Sequence, residues 1–216
     1  MLEKAHIIVL NAALNIVKDK EMEEYKECLI KGVLSPDKHF KAVHHFYNPD
    51  AKRGLRPFGN AKERGVKSFK KALETYNKEK NKSYTLLGNS LHYLADLAVP
   101  SHSKLIVHLF NTDDLEIYLE KVIGKIKIGK RIIKRKRIED YFVEVARLSS
   151  KLNTEKNSTI ISLKFKMTKQ KKVLPEKELK KQSAKITNVA VAYSAGLMKS
   201  FIESKNKSVA SKGAKN

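Results

Sequence analysis

Tryptophan is absent from this 216-residue chain, cysteine occurs once, and glycine and proline number only nine and five. So few turn-forming residues disfavour a turn-rich β architecture and favour helices. With Cys28 alone, no intrachain disulfide and no cysteine-built metal site can form. Cys28 reads as a small hydrophobe, and its solitude fits a reducing compartment. No apolar run is long enough to span a bilayer. The start, Met1 to His6, lacks the basic opening and apolar stretch of a secretory signal. The expected location is therefore cytoplasmic, with association to a membrane surface left open.

What is present in excess is positive charge, +22 overall. It is unevenly spread. Residues 1–124 hold 20 of the 45 Lys+Arg and 16 of the 23 Asp+Glu, leaving 25 and 7 for residues 125–216. Such asymmetry suggests a polyanionic partner, either an anionic membrane surface or nucleic acid, or else a lysine bias that keeps the chain soluble. The apolar fraction is ordinary, so a packed core is expected.

Helical spacing of apolar residues predicts helices over 4–18, 21–32, 60–79, 83–98, 113–124, 138–153 and 175–204. Asn111 and Thr112 are capping candidates for the helix at 113, and Pro175 opens the last one. The stretch 44–59, with Asn48-Pro49-Asp50, Gly54, Pro57 and Gly59, reads as a long loop. The helix at 83–98 is apolar on all faces and so central. The expected architecture is all-α: one multi-helix domain over 1–204 with a basic insertion at about 125–137, followed by a disordered basic tail at 205–216.

Six of the seven histidines lie in the first 102 residues. His92 and Asp96, four apart on the most apolar helix, share one face. A buried aspartate is costly without a positive partner or hydrogen-bond donors, and a divalent cation serves well. His102 lies just past the helix stop at Pro100. Imidazole nitrogen with carboxylate oxygen and no thiolate is a catalytic type of zinc shell. Taken singly, His45 and His6 are weaker candidates.

The runs His45-Phe46-Tyr47-Asn48-Pro49-Asp50, Leu87-Gly88-Asn89-Ser90-Leu91-His92-Tyr93-Leu94-Ala95-Asp96 and Pro100-Ser101-His102 resemble the zinc-dependent phospholipase C family, which is similar in fold to single-strand-specific zinc nucleases. The resemblance extends to His6, Asp37 and the Ala195-Gly196-Leu197-Met198 run. It implies zinc, two or three ions, in a cleft. Asp37, His45, His92 and Asp96 match ligands of one ion. By the same resemblance Asp96 would bridge to a second, shared with His6. His102 begins a third site, for which the family's histidine and glutamate fall on Glu116 and Glu120. Asp37 also matches the carboxylate proposed as general base. The sequence departs from the family in two respects. No tryptophan exists to supply the amine and carbonyl that complete the second site, and Glu116 stands where the family has histidine; His108 is an alternative there.

The implied function is zinc-dependent phosphodiester hydrolysis of the phospholipase C type, using metal-activated water on a phospholipid. Two alternatives remain: a nuclease or phosphatase of the same fold, and a non-enzymatic metal-binding protein with a partly lost cluster. The segment 125–137 interleaves isoleucines with cations and reads as a membrane-surface element or phosphate-binding arm, or as an exposed segment whose isoleucines simply pack.

Overall fold

The structure, a computed structural model, describes residues 1–37, 42–55, 57–106, 114–154 and 174–213. Among them there are helices and connecting segments but no strand; the one β-type pairing is an isolated bridge between Asn48 and Arg53. The helices are α1 (Glu3–Val17), α2 (Lys20–Glu24), α3 (Lys26–Leu34), α4 (Ala61–Thr75), α5 (Lys80–Asp96), α6 (Pro100–Ser103), α7 (Asp114–Val122), α8 (Ile138–Ser150) and α9 (Glu176–Gly213). Single 3-10 turns lie at Ala42–His44 and Ile123–Lys125. The all-α expectation holds.

Helix α5 is the axis of the molecule, and buried residues occur on every side of it. It packs on α3, α4, α8, α9 and α1. Its crossing with α3 is unusually close. A Cβ at Gly88 would stand 2.3 Å from the Leu29 carbonyl, and one at Gly32 would stand 2.0 Å from that of Thr85. Glycine costs a helix roughly 1 kcal/mol relative to alanine. Here it allows two backbones to touch, and the contact sets the height of the C-terminal end of α3.

The stretch expected as one helix over 21–32 divides at Tyr25, whose backbone leaves helical geometry (φ −96, ψ 21) and whose ring stacks on Tyr84 at 4.7 Å. Asp19 caps the short α2, accepting from the Met22 amide at 2.9 Å. The capping candidates Asn111 and Thr112 lie outside the described residues.

The last helix corrects the expectation of a disordered tail from 205, because α9 continues through Gly213. Lys205 is only 5 % exposed. Its ammonium bonds Glu21, donates to Tyr84 Oη at 3.1 Å and lies over the Tyr76 ring at 5.1 Å. Lys80 reaches the same Glu21 at 2.7 Å. Burial alone would push the Glu21 carboxyl up, but Lys205, Lys80 and the Tyr76 hydroxyl hold it down at about 2. A lysine engaged in this way continues the helix where composition alone suggests fraying.

The loop ahead of α4 is tied at both ends. The Tyr47 amide donates to the His102 carbonyl at 3.1 Å, and the Ala61 amide donates to that of Phe46 at 3.2 Å. Asn60 caps α4 by accepting from the Glu63 amide at 3.0 Å. After α5, Val99 is extended and Pro100 opens α6 at its first turn, a position that needs no N–H. The chain thereby doubles back over the C-terminal end of α5.

Replacing Gly88 by alanine drives a methyl group into the α3 backbone. Chemical denaturation of Gly88→Ala should show a loss of roughly 1–3 kcal/mol, the usual range for overpacking. Unchanged stability would mean that the two helices do not cross this closely.

Candidate metal centre

Asp96 is the last residue of α5 and is 1 % exposed. Four elements bring histidines to it. His6 comes from α1, with Nε2 3.1 Å from Asp96 Oδ1. His92, one turn earlier on α5, places Nε2 3.1 Å from Oδ2. His45, on the loop before α4, places Nδ1 3.3 Å from Oδ2. His102, on α6, places Nδ1 3.7 Å away. Asp37, just beyond α3, completes the group, with Oδ1 3.5 Å from both His45 Nδ1 and His92 Nε2. Donor atoms of Asp37, His45, His92 and Asp96 all lie within 4.8 Å of one another.

The orientation of His92 has a cause. Its Nδ1 lies 2.7 Å from the Val33 carbonyl, which can only accept. The neutral ring therefore carries its proton on Nδ1 and aims the Nε2 lone pair at Asp96 and Asp37, the outer hydrogen bond typical of a ligating histidine. The Gly32–Gly88 contact places that carbonyl. Phe46 stacks on His102 at 5.2 Å and orients its ring from the other side.

A metal ion fits these residues. His6 Nε2, His92 Nε2, Asp96 Oδ2 and His102 Nδ1 are all buried and make no well-formed hydrogen bond. Buried polar atoms are otherwise almost always satisfied, so convergent lone pairs without donors call for a cation. The protonation states agree. Burial, then the neighbouring His92, pushes His6 down to about 4. Burial likewise lowers His45 to about 3, although Asp96 pulls the other way. Both are neutral imidazoles at pH 7, the form that binds metal. Burial alone would raise Asp96, yet the Met1 amine and histidines 92, 102 and 6 hold it well below the usual carboxylate range. Asp37 moves upward, first through burial and then through the charge of Asp96.

Seven of the eight expected site residues come together: His6, Asp37, His45, His92, Asp96, His102 and Glu116. Glu116 Oε1 lies 3.4 Å from His102 Nε2. Glu120 does not join them. Its two oxygens accept from the Lys4 and Ala5 amides at 2.9 and 3.0 Å, so it caps α1. One helical turn puts Glu116 and Glu120 on the same side of α7, but the exposed amides at the start of α1 claim the second carboxylate. His108, the alternative for that third site, lies outside the described residues. The Met1 amine was not anticipated. It sits 2.7 Å from Asp96 Oδ1 and 2.6 Å from Glu116 Oε1. Only the short distance from Met1 to His6 in the sequence could have signalled it. No residue pattern signalled the Val33 carbonyl. Cys28 stands apart on α3, its Sγ 3.6 Å from Asn81 Oδ1.

The sequence profile described as zinc dependent phospholipase C matches residues 5–215. Two phospholipases C from Bacillus cereus are 30% and 28% identical over 146 residues, each alignment covering 59% of this chain and 52% of the relative. The chain thus spans about half the length of these curated relatives. Among solved structures, alpha toxin from Clostridium absonum superposes with a TM-score of 0.73 at 16% identity, covering 94% of this chain and 65% of the toxin. Alpha-toxin from an avian strain of Clostridium perfringens gives 0.70 at 13% identity, covering 94% and 64%. At such low identity the toxins speak for the shared fold alone. The fold, the histidine–carboxylate cluster and the profile over nearly the whole chain agree, and the chain belongs to the zinc-dependent phospholipase C family.

Proposed function

We propose that this protein hydrolyses a phosphodiester in the manner of a phospholipase C, with a phospholipid as substrate. The observation that carries the reading is the convergence of buried, unpartnered imidazole and carboxylate atoms on Asp96. Bound zinc would lower the pKa of a water molecule and offset the charge of the phosphate. The first ion would be held by Asp37, His45, His92 and Asp96, and a second by His6 with Asp96. His102 and Glu116 are the residues available to a third, a leaner set without Glu120.

The rest of the chemistry falls to the chain. Asp37 is assigned as general base, because it is 45% exposed while Asp96 is 1% exposed. A carboxylate that faces both the cluster and solvent can take a proton from attacking water and pass it outward. Asp96, buried and surrounded by imidazoles, stays ionised and serves as the fixed negative charge. Val33, through His92, keeps one lone pair directed inward throughout.

Protein purified without chelator should retain more than one zinc per chain, and chelation should lower its melting temperature, because metal binding is coupled to folding. Asp96→Ala should lose most of that zinc. Asp37→Asn should reduce kcat on choline phospholipid by about 10²–10⁴-fold, the usual worth of a positioned base. Single-stranded DNA, assayed in parallel, should be spared. A zinc-free preparation indifferent to added metal would overturn the reading.

Glu120→Ala separates the cap from the cluster. It should leave zinc content and kcat nearly unchanged and cost about 1 kcal/mol in unfolding experiments, as loss of a helix cap does. Loss of zinc without loss of stability would return Glu120 to the metal site.

A further inference from the structure

From residue 126 to 137 the basic segment between α7 and α8 is neither helix nor strand. It is a strap laid along α9 and fastened at two places. At the first, the Gly129 amide donates to Asn188 Oδ1 at 2.8 Å, and the Asn188 side-chain amide donates to the Lys127 carbonyl at 3.3 Å. Ile126 and Ile128 pack there against the core. At the second, the Ile133 amide donates to the Ala192 carbonyl at 3.1 Å. Its own carbonyl passes so close to Gly196 that a Cβ there would lie 1.8 Å away. Arg135 closes this end. It pairs with Glu144, lies 5.5 Å from the centre of the Tyr193 ring, and its amide donates to Tyr141 Oη at 3.0 Å.

The isoleucines and cations therefore do not alternate freely, as the sequence suggests. Ile126, Ile128 and Ile133 turn inward, Lys134 is engaged by Glu203, and Arg135 is engaged by Glu144. Gly129, at the first anchor, and Lys130, Arg131 and Ile132 beyond it are four consecutive exposed residues. Lys130 and Arg131 have no ion-pair partner among the described residues. Ile132, 36% exposed, is one of only two large apolar side chains exposed there; the other is Phe58, which lies against His44.

We propose that the arch at residues 129–132 is a membrane contact that binds an anionic phospholipid bilayer. The proposal rests on the phospholipid reading above. Its composition suits the interface. Two cations attract anionic headgroups, and a neighbouring aliphatic side chain enters the boundary between headgroups and acyl chains. Anchoring at both ends presents these three side chains with little ordering left to do on contact. A polynucleotide fits less well, because residues 125–137 contain no aromatic side chain on which a base can stack.

The test is co-sedimentation of the zinc-loaded protein with phosphatidylserine–phosphatidylcholine vesicles, alongside turnover of a soluble phosphodiester. Lys130→Gln with Arg131→Gln should weaken vesicle binding by roughly 25-fold at low salt, about five-fold per cation. The loss should shrink at high salt. Ile132→Ser should weaken it by a further few-fold that persists at high salt. Lys67→Gln with Lys71→Gln on α4 removes the same charge elsewhere and should change binding little. Turnover of the soluble substrate should be unaffected throughout. Equal losses from the α4 pair would reduce the effect to net charge and overturn the proposal, as would arch variants that bind vesicles normally or lose only binding to single-stranded DNA. Vesicle binding without any hydrolysis would sink the functional reading and leave the arch standing.

Discussion

A carboxylate stands where this fold should least tolerate one. Asp96 closes the most buried helix of the molecule, at the end where the backbone dipoles leave partial negative charge, and no basic side chain lies in that last turn. Asp37 and Glu116 add negative charge within a few ångströms of the same histidines. Desolvation, dipole and like charge all oppose ionisation, yet the surrounding groups hold Asp96 ionised. Positive charge offsets such an arrangement: the Met1 amine supplies it directly at Oδ1, whereas the neutral imidazoles of His6 and His45 supply none. The four donors of Asp37, His45, His92 and Asp96 that lie within 4.8 Å of one another are a group that could hold a second such charge, as a metal ion.

Much of the remaining architecture reads as a means of bringing ligands from distant parts of the chain to that one carboxylate. The glycine contact between α3 and α5 fixes the Val33 carbonyl and Asp37. The Pro100 turn folds His102 back over the helix end. The carbonyl of His102 in turn accepts from Tyr47 and so positions the loop that carries His45. Glu120 holds the first turn of α1, and that turn brings in His6. The contacts that place the candidate ligands are also tertiary contacts of the fold, so effects on the cluster and on folding stability should be hard to separate by mutation except at caps such as Glu120.

The sequence made the residues of the cluster legible because their chemistry conflicts with their surroundings. A histidine and an aspartate four residues apart in an otherwise apolar helix announce themselves, and periodicity found the long helices. Groups whose role depends on a partner in space were not legible. Glu120 and Glu116 look alike on a helical wheel, and only the placement of α1 beside α7 distinguishes the cap from the carboxylate that joins the cluster. Lys205 looks like tail until Glu21 and two tyrosines enclose it. The carbonyl of Val33 has no side-chain signature at all. The basic strap misled in a similar way, since alternating isoleucines and cations describe an extended segment but not which side of it lies on α9.

Charge is unequally distributed along the chain. A site that gathers divalent cations works against every fixed positive charge near it, and at physiological ionic strength that repulsion fades over roughly 8 Å. Residues 1–124, which carry the cluster, are close to balanced in charge, and the surplus of lysine and arginine lies later in the chain. Even within the strap, the cations nearest its second anchor are engaged by Glu203 and Glu144, and such exposed pairs add little to stability. With Lys134 and Arg135 held, Lys130 and Arg131 at the arch stay exposed and have no ion-pair partner among the described residues.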